Sequence, residues 1–321
     1  NIDPHPDEII INNVDVTSNT RNSLKYNFPL GENNVILRWH DYQITTCNNM
    51  FSYISEIKSI DFSNFDSSKV KDTSRMFFQC KGLEEINLNN FDTSSVEDMN
   101  KMFEGCVLVT SLDLSSFITS KVKNMEDMFT YNYQLLKIDL SNFDTSSVTS
   151  MKHMFMDCFQ LTSINLSGFN TTSVKGFNAM FANCYNLLSI DLSSFDTSNS
   201  ETFNSLFDGC EKLETILQNF DTSKCIDANK MFSGCKSLVS LDISNFDLSN
   251  TVNMELMFQN CENLEYLNLN QLITLNSITD ISYLFSGCKK LQSLDLSFLD
   301  TSNVINMASL FYNCENLKYL N

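Results

Sequence analysis

Residues 83 to 106 read LEEINLNNFDTSSVEDMNKMFEGC, and this stretch recurs with small changes along most of the 321-residue chain. Its Met-Phe pair returns at residues 128, 154 and 180, in steps of 26, and eleven Met-Phe or Leu-Phe pairs lie between residues 50 and 311. A fixed period of this length is typical of proteins in which similar units stack in a row, each contacting only its neighbours. The sequence therefore predicts a repeat protein.

Each copy of the repeat combines two apolar periods. The first half alternates apolar and polar residues, as a β-strand does. Its inward-facing residues in the quoted copy are Leu83, Ile86, Leu88 and Phe91. The second half has apolar residues three or four positions apart, which is the spacing of one face of a short helix. These residues are Val96, Met99, Met102 or Phe103, and Cys106.

Stacked copies of a strand, a turn and a short helix predict an α/β repeat solenoid. Neighbouring strands would lie about 4.8 Å apart in a parallel, concave β-sheet, and the wider helices on the convex side would curve the ribbon. Residues 50 to 321 hold about ten and a half such repeats. One residue is missing between Ile216 and Phe220 and one is added between Leu272 and Phe285, so we expect a bend or bulge at both places.

Residues 1 to 49 lack the repeat, and they predict a small N-terminal β cap. The strand-forming runs of this segment are Ile9 to Ile11, Tyr26 to Phe28 and Val35 to Trp39, with a turn over residues 31 to 34. Trp39 is the only Trp in the chain and is expected to cover the open end of the first coil.

Residues 138 to 146 read IDLSNFDTS, within a phrase LxxIDLSNFDTSxVxxMxxMFxxC that other copies approach closely. This phrase resembles the BspA-like leucine-rich repeat, a family found in surface lipoproteins of bacteria and mycoplasmas and in secreted or surface proteins of protists. The resemblance extends from about residue 50 to the end of the chain. It implies a leucine-rich-repeat solenoid that is secreted or displayed at the cell surface and acts in adhesion or recognition. The family supplies no catalytic residues.

Composition excludes several classes of function. The chain has 39 acidic and 21 basic residues and a formal net charge of −18, which repels nucleic acids and anionic lipid headgroups. Its apolar runs are too short to form a transmembrane segment. The three His residues are scattered at His5, His40 and His153, and neither a nucleophile motif nor a phosphate-binding Gly loop is present. The sequence thus predicts no enzyme and no cofactor.

Nine of the eleven Cys residues, from Cys80 to Cys314, occupy one repeat position, three residues after the repeat Phe. A column of buried free thiols is the favoured interpretation, because Ile54 and Asn132 hold this position in other copies and pairing is therefore not required at every step. The absence of CxxC pairs and of clustered His argues against zinc. Cys47 and Cys225 lie outside the column and are predicted to be the reactive or paired thiols.

Two positions of the repeat hold mainly acidic residues, and each would form a column along the stacked copies. The Asp of the FDTS phrase directly precedes the predicted helix, so capping of its first turn is favoured over a ladder of bound cations. The second column lies mid-strand, faces outward and would line the concave sheet as a polar groove. A solvated sheet face is favoured there over a site for Ca²⁺ at Asp113 and Asp139 or for a cationic partner. The predicted concave face comprises Asp61, Glu85, Asn87, Asp113, Lys137, Asp139, Asn165, Asp191, Asp242, Tyr266, Asn268 and Asp295.

The position directly after the Cys column is charged in most copies but apolar in four consecutive ones. If the charged copies show that the position faces water, the apolar copies form an exposed patch of roughly 15 Å, which is a candidate surface for a protein partner. Local covering by other side chains is the alternative. The candidate residues, with their apolar neighbours, are Val107, Leu108, Tyr133, Leu136, Phe159, Tyr185 and Leu188.

These features lead to competing hypotheses for the function. The first is a secreted or cell-surface module that binds a protein partner, extracellular or from a host. The second is a structural component that self-associates or packs into a larger assembly through the apolar patch. A third, ice or crystal binding by the Thr-Ser ladder, conflicts with the helix starts predicted there. Asn165 and Asn170 begin glycosylation sequons, which matter only in a secreting eukaryote.

Overall fold

The computed structural model describes residues 6–16, 31, 33–39, 43–269, 277–297 and 300–321. Within these residues the chain forms thirteen β-strands, and no α-helix is found there. The strands are β1 (Glu8–Ile11), β2 (Val14–Asp15), β3 (Val35–Arg38), β4 (Ser59–Asp61), β5 (Glu85–Asn87), β6 (Lys137–Asp139), β7 (Ser163–Asn165), β8 (Ser189–Leu192), β9 (Thr215–Gln218), β10 (Ser240–Asp242), β11 (Tyr266–Asn268), β12 (Ser293–Leu294) and β13 (Tyr319–Leu320).

The N-terminal segment forms a three-stranded antiparallel sheet in the order β2-β1-β3. Two of the predicted strand-forming runs lie in β1 and β3, whereas Tyr26 to Phe28 falls outside the described residues. Trp39 follows β3 and packs edge-on against Phe65 of the repeat region, with 5.6 Å between the ring centroids. This contact supports the proposed role of the N-terminal sheet as a cap.

The remaining strands stack in parallel along a β-solenoid of about ten turns, as the period predicts, with one strand in each described coil except the coil of residues 111 to 114. Equivalent residues pair across a distance of one repeat: Ile60 with Ile86, and Ile138 with Ile164. The ladder is made of strand pairs: β4 with β5, β6 with β7, β8 with β9, β10 with β11 and β12 with β13. We call the outward side of these strands the strand face.

The predicted helices on the other side of each coil are wrong. Residues 101 to 106 instead form successive tight turns whose backbone donors alternate between two kinds of acceptor. The Met102 N–H donates to the carbonyl of Met99 in the same coil (3.2 Å), and the Phe103 N–H donates to the carbonyl of Met128 in the next coil (3.0 Å). In an α-helix every N–H beyond the first turn would donate to the carbonyl four residues earlier in the same coil. The α/β class therefore does not hold for the described residues, which form a β-solenoid.

Left-handed backbone explains why no helix forms. In the quoted copy, Lys101 and Gly105 have φ of 58° and 75°, four residues apart, and equivalent residues in the other coils do the same. Two left-handed residues in every coil interrupt any helical run, because an L-residue in this region cannot continue a right-handed helix. The apolar spacing of three and four residues is equally compatible with consecutive turns that point Val96, Met99 and Met102 into the core.

Side chains of Asp and Asn close up to three bends in a coil. Each accepts a hydrogen bond from the backbone N–H two residues later, as in Asp139 to Ser141 (3.0 Å) and Asp144 to Ser146 (3.0 Å). These are Asx turns, in which a side chain replaces a backbone acceptor. The predicted helix cap of the FDTS Asp is thus corrected to a turn. In most coils, Asp or Asn residues at equivalent positions close the bend after the strand, the FDTS bend and the bend before the left-handed turns.

The Thr of the FDTS phrase lies inside the coil and connects it to the next. Its buried hydroxyl donates to a carbonyl one coil further on, as in Thr145 to Asn170 (2.8 Å), and accepts the N–H of that same residue (2.8 Å). Equivalent bonds to the next carbonyl are made by Thr93, Thr119, Thr171, Thr197 and Thr222. Because these hydroxyls are buried, they are not available for a surface array of the kind that ice binding requires.

The core is built around stacked aromatic rings. The repeat Phe from Phe51 to Phe311 forms one continuous column, with ring centroids 5.4 to 5.9 Å apart between successive coils. The Met beside it and the strand Ile and Leu fill the space between this column and the sheet. Each coil therefore buries its apolar residues against one another and against its two neighbouring coils.

The Cys column lies in this core, and all eleven thiols are free. A typical thiol donates to a Phe carbonyl of the preceding coil, as Cys158 does to Phe129 (3.2 Å). Cys47 and Cys225 are also buried, in core positions that Met and Val hold in other coils. Burial raises the pKa of Cys47 to about 12 and that of Cys225 to about 11, so both stay protonated. The prediction that these two are reactive or paired is wrong, because their surroundings exclude solvent and disfavour the thiolate.

Asn132 takes the place of a Cys in this column. Its side chain is fully buried, and neither Nδ2 nor Oδ1 has a hydrogen-bond partner among the described residues. The thiols one coil away on either side, Cys106 and Cys158, each reach a Phe carbonyl. An unpaired buried amide costs about 1–3 kcal/mol, so this position weakens the core locally.

We expect Asn132→Cys to raise the free energy of unfolding by about 1–3 kcal/mol. The substitution removes the unpaired buried amide, and the new thiol can donate to the carbonyl of Phe103. Guanidinium denaturation followed by circular dichroism would measure the change. Cys184→Asn is the matched control and should lower stability by a similar amount. A variant Asn132→Cys that is less stable than the parent protein would contradict the assignment.

Candidate binding surfaces

Three aromatic side chains from successive coils form a stack on the outside of the solenoid, just before the strands. Tyr133 and Phe159 lie 4.6 Å apart between ring centroids with 5° between their planes, and Phe159 and Tyr185 lie 4.8 Å apart with 15°. Stacked rings of this kind hold one another in a single orientation. We call Tyr133, Phe159 and Tyr185, with the neighbouring Val107, Leu108, Leu136 and Leu188, the aromatic stripe.

The aromatic stripe is accessible to solvent. Tyr185 is 36% exposed and both Leu136 and Leu188 are 48% exposed, while Tyr133 and Phe159 are half-buried by stacking on each other. Further along the chain the same position forms ion pairs between coils. Lys236 Nζ lies 2.7 Å from Glu211 Oε1, and the pair Lys289 and Glu262 is 2.9 Å apart. The column thus changes from stacking to ion pairing after Tyr185.

Carboxylates border the aromatic stripe. Burial raises the pKa of Tyr185, and the nearby charges of Asp157, Glu211 and Asp208 raise it further, so its phenol remains a neutral hydrogen-bond donor. Asp157 itself accepts a hydrogen bond from Asn183 Nδ2 (2.7 Å). An apolar strip with acidic groups beside it favours partners that present apolar and basic side chains.

The predicted concave-face residues lie on the strand face or directly beside it, and their side chains are exposed or half-buried. Most of the Asp and Asn among them are occupied by their own Asx turns. Hydrogen bonds from Ser115 hold the pKa of Asp113 below its ordinary value, and bonds from Ser141 do the same for Asp139. Each carboxylate therefore has a local partner, and Ca²⁺ binding at this pair stays a prediction.

The sequence interpretation missed a cluster of ionisable residues on the turn side. Lys101, Asp127 and His153 occupy the same repeat position in three successive coils. Lys101 Nζ lies 2.8 Å from Glu104 Oε2 and 2.9 Å from Asp127 Oδ2, and His153 Nδ1 lies 3.1 Å from Asp127 Oδ1. The spacing of 26 residues between these charged side chains was a signal in the sequence. His153 is therefore part of a cluster, not an isolated residue.

Three side chains in and beside this cluster are of the types that bind metal ions. Ligand atoms of Glu126, Asp127 and His153 lie within 4.8 Å of one another. Asp127, however, is buried and already paired with Lys101 and His153. Burial raises the pKa of Asp127, but the bonds from His153 and Lys101 outweigh it and leave the pKa lowered. The ammonium of Lys101 supplies the positive charge that a metal ion would, so the arrangement fits an ion network.

The two glycosylation candidates are both exposed, and each is engaged in a turn. Asn165 accepts the N–H of Ser167 (3.2 Å), and Asn170 accepts the N–H of Thr172 (3.1 Å). Asn165 lies on the strand face, so a glycan there would cover part of that face. Modification of either residue stays a prediction.

We expect Lys101→Met to lower the free energy of unfolding at pH 7 by about 3 kcal/mol or more, because it leaves the buried carboxylates of Glu104 and Asp127 without their cation. Burial raises the pKa of Glu104, so its protonation as the pH falls toward 4.5 should shrink this loss. Lys123→Met, which breaks an exposed pair with Glu97, should cost less than about 1 kcal/mol. Thermal melts of both variants from pH 4.5 to 7 test this, and equal losses at all pH values would contradict it.

The part of the chain that the structure describes contains no helical segment with the length and hydrophobicity of a membrane span. No curated protein matches the chain in sequence. The chain is similar to a solved leucine-rich repeat protein from Bacteroides ovatus (15% identity, 92% of this chain and 97% of that chain, TM-score 0.33). It is also similar to a leucine-rich cell surface protein from Faecalibacterium prausnitzii (17% identity, 85% and 75%, TM-score 0.33).

A further similarity is to a chain in the Toll–Spätzle complex of Drosophila (17% identity, 85% of this chain and 34% of that chain, TM-score 0.35). At these TM-scores the backbones do not superpose closely, and the functions of these proteins are not transferred to this chain. The sequence also matches one family model four times, over residues 22–134, 99–199, 179–275 and 268–319. Because these overlapping matches span nearly the whole chain, the chain belongs to the family described as Mycoplasma protein of unknown function, DUF285.

Proposed function

We propose that this chain is a non-catalytic recognition module that binds a protein partner through the aromatic stripe. The observation that carries the proposal is the stack of Tyr133, Phe159 and Tyr185 on the outside of the solenoid, in which Tyr185 is exposed and the other two rings are half-buried. Tyr side chains are frequent binding hot spots, because they bury a large area and have few rotatable bonds. Stacking has already fixed these rings, so binding would cost little further side-chain entropy.

The exposed Leu side chains widen this surface. Leu136 and Leu188 lie three residues after Tyr133 and Tyr185, and Leu108 follows Val107. Burying Leu side chains against a partner would release water from apolar area at about 25 cal/mol per Å². The ion pair of Glu211 and Lys236, which replaces the stack directly after Tyr185, would form part of a polar rim.

We further propose that the module works at the cell surface or after secretion, in adhesion or recognition of an extracellular or host protein. This proposal rests on the resemblance of the IDLSNFDTS phrase to the BspA-like repeat. A structural role, in which copies of the chain pack through the aromatic stripe, is the second candidate. The net charge of −18 opposes self-association, because like-charged copies repel one another.

We expect simultaneous replacement of Tyr133, Phe159 and Tyr185 by Ser to reduce binding of the purified chain to intact cells or extracellular matrix by about tenfold or more, because three anchors are lost. Flow cytometry with the labelled protein gives the measurement. The matched control replaces Glu262 and Lys289, a later ion pair of the same column beyond that rim, by Ser and should bind like the parent protein. Full binding by a folded triple variant would rule the stripe out as the contact surface.

We expect the parent chain to sediment as a monomer from about 1 to 100 µM, since its charge disfavours close approach of copies. Sedimentation velocity at physiological salt tests this expectation. A dimer or larger species that the triple Ser variant abolishes would instead support the structural role.

A further inference from the structure

A shallow groove opens on the strand face where the repeat loses one residue. In the coil that contains β9, the segment between Ile216 and Phe220 is one residue short. β9 pairs with β8 over four residues, including Asp191 with Leu217, while β10 pairs with β11. The groove lies between β9 and β10 and is lined by Ser193, Glu214, Thr215, Ile216, Leu217, Gln218, Ser240, Leu241 and Asp242.

A side chain replaces the missing turn at this place. Gln218 Oε1 accepts the N–H of Phe220 (2.9 Å), and Gln218 Nε2 donates to the carbonyl of Asp242 in the next coil (3.4 Å). Gln218 thus takes over the bend that an Asx residue closes in neighbouring coils. This leaves the residue before it, Leu217, without a part in the turn.

Leu217 is the residue of this groove that the fold does not explain. It occupies the outward column that holds Asp191 in the preceding coil and Asp242 in the following one, and its side chain is 54% exposed. A Leu cannot accept the hydrogen bond that those carboxylates accept. The groove therefore places an accessible aliphatic surface between carboxylates of neighbouring coils.

The charge of the groove is negative. Glu214 and Asp242 line it, Asp191 is the register partner of Leu217, and the residues that line the groove include neither Lys nor Arg. Asp242 accepts the backbone N–H of Ser244 (2.9 Å), which fixes its carboxylate at the groove. The side chains of Ser244 and of Asn268 in the following coil also donate to this carboxylate, which remains exposed to solvent.

We propose that this groove binds an Arg or Lys side chain of a basic polypeptide segment. The aliphatic stem of such a side chain would lie on Leu217, and its cationic head would meet the carboxylates of Asp242 and Glu214. Long basic side chains combine these two properties, and Arg can in addition form two parallel hydrogen bonds with one carboxylate. The groove shares no residue with the aromatic stripe, although the Glu214 N–H donates to the carbonyl of Leu188 (2.9 Å), and the proposal does not depend on the function proposed for that stripe.

The probe is a fluorescently labelled peptide of alternating Gly and Arg, titrated with the full chain at about 0.15 M salt, where long-range attraction is screened. We expect Asp242→Asn and Leu217→Asn each to weaken binding about fivefold or more, which is roughly 1 kcal/mol. Asn at position 242 can still accept the N–H of Ser244, so the turn is kept. Asn at position 217 is the residue type that the column holds elsewhere.

Asp139→Asn is the matched control, because it removes the same charge from the same column, three coils before the deletion, and keeps its own turn with Ser141. This variant should bind the peptide within about twofold of the parent chain. Equal weakening by Asp139→Asn and Asp242→Asn would mean that only net charge attracts the peptide and would overturn the proposal. Unchanged binding by Leu217→Asn, with an unchanged thermal melt, would overturn it as well.

Discussion

The hydrogen bond from a backbone N–H to the Asp or Asn side chain two residues before it is the interaction on which this solenoid depends. Each coil must bend several times within about 26 residues and still return to the same register. Backbone bonds such as that from the Phe143 N–H to the Leu140 carbonyl close only part of each bend, and many other carbonyls accept from a neighbouring coil. Side-chain acceptors at positions such as Asp139, Asp144 and Asp98 complete the bends. Much of the net charge of −18 is a consequence of this architecture.

The same interaction changes how the acidic columns should be interpreted. A row of carboxylates along a sheet resembles a cation site when only the sequence is considered. In the structure, turn hydrogen bonds lower the pKa of Asp61, Asp139 and Asp191, and these bonds come from Ser residues of the same coil. A regular acidic column is thus explained by turns, and only departures from it require a separate explanation.

The sequence predicted the repeat, the parallel strands and the buried Cys column, because period-two alternation and fixed columns report directly on which side chains are inside. It did not predict the turns that replace the helix, since an apolar residue at every third or fourth position fits both. One signal was present: the residue before the column Cys is Gly, Asn or Asp in Gly105, Asp157, Asn183 and Gly209, which are types that adopt left-handed φ readily. The other left-handed position holds residues such as Lys101, Ala179 and Leu256, whose types do not indicate a left-handed backbone. The stacking of the coils imposes the left-handed conformation there.

Both candidate surfaces lie at positions where the residues depart from the repeat. The residues of the aromatic stripe could be named from the sequence because one column changes from charged to apolar. Their stacking could not, since it depends on how far successive coils are displaced. Leu217 was missed because the deletion beside it shifts the alignment, so its place in the acidic column becomes visible only through its register with Asp191. In a fold whose repeated polar residues are committed to turns and ladders, the residues free to recognise a partner are those that break the repeat.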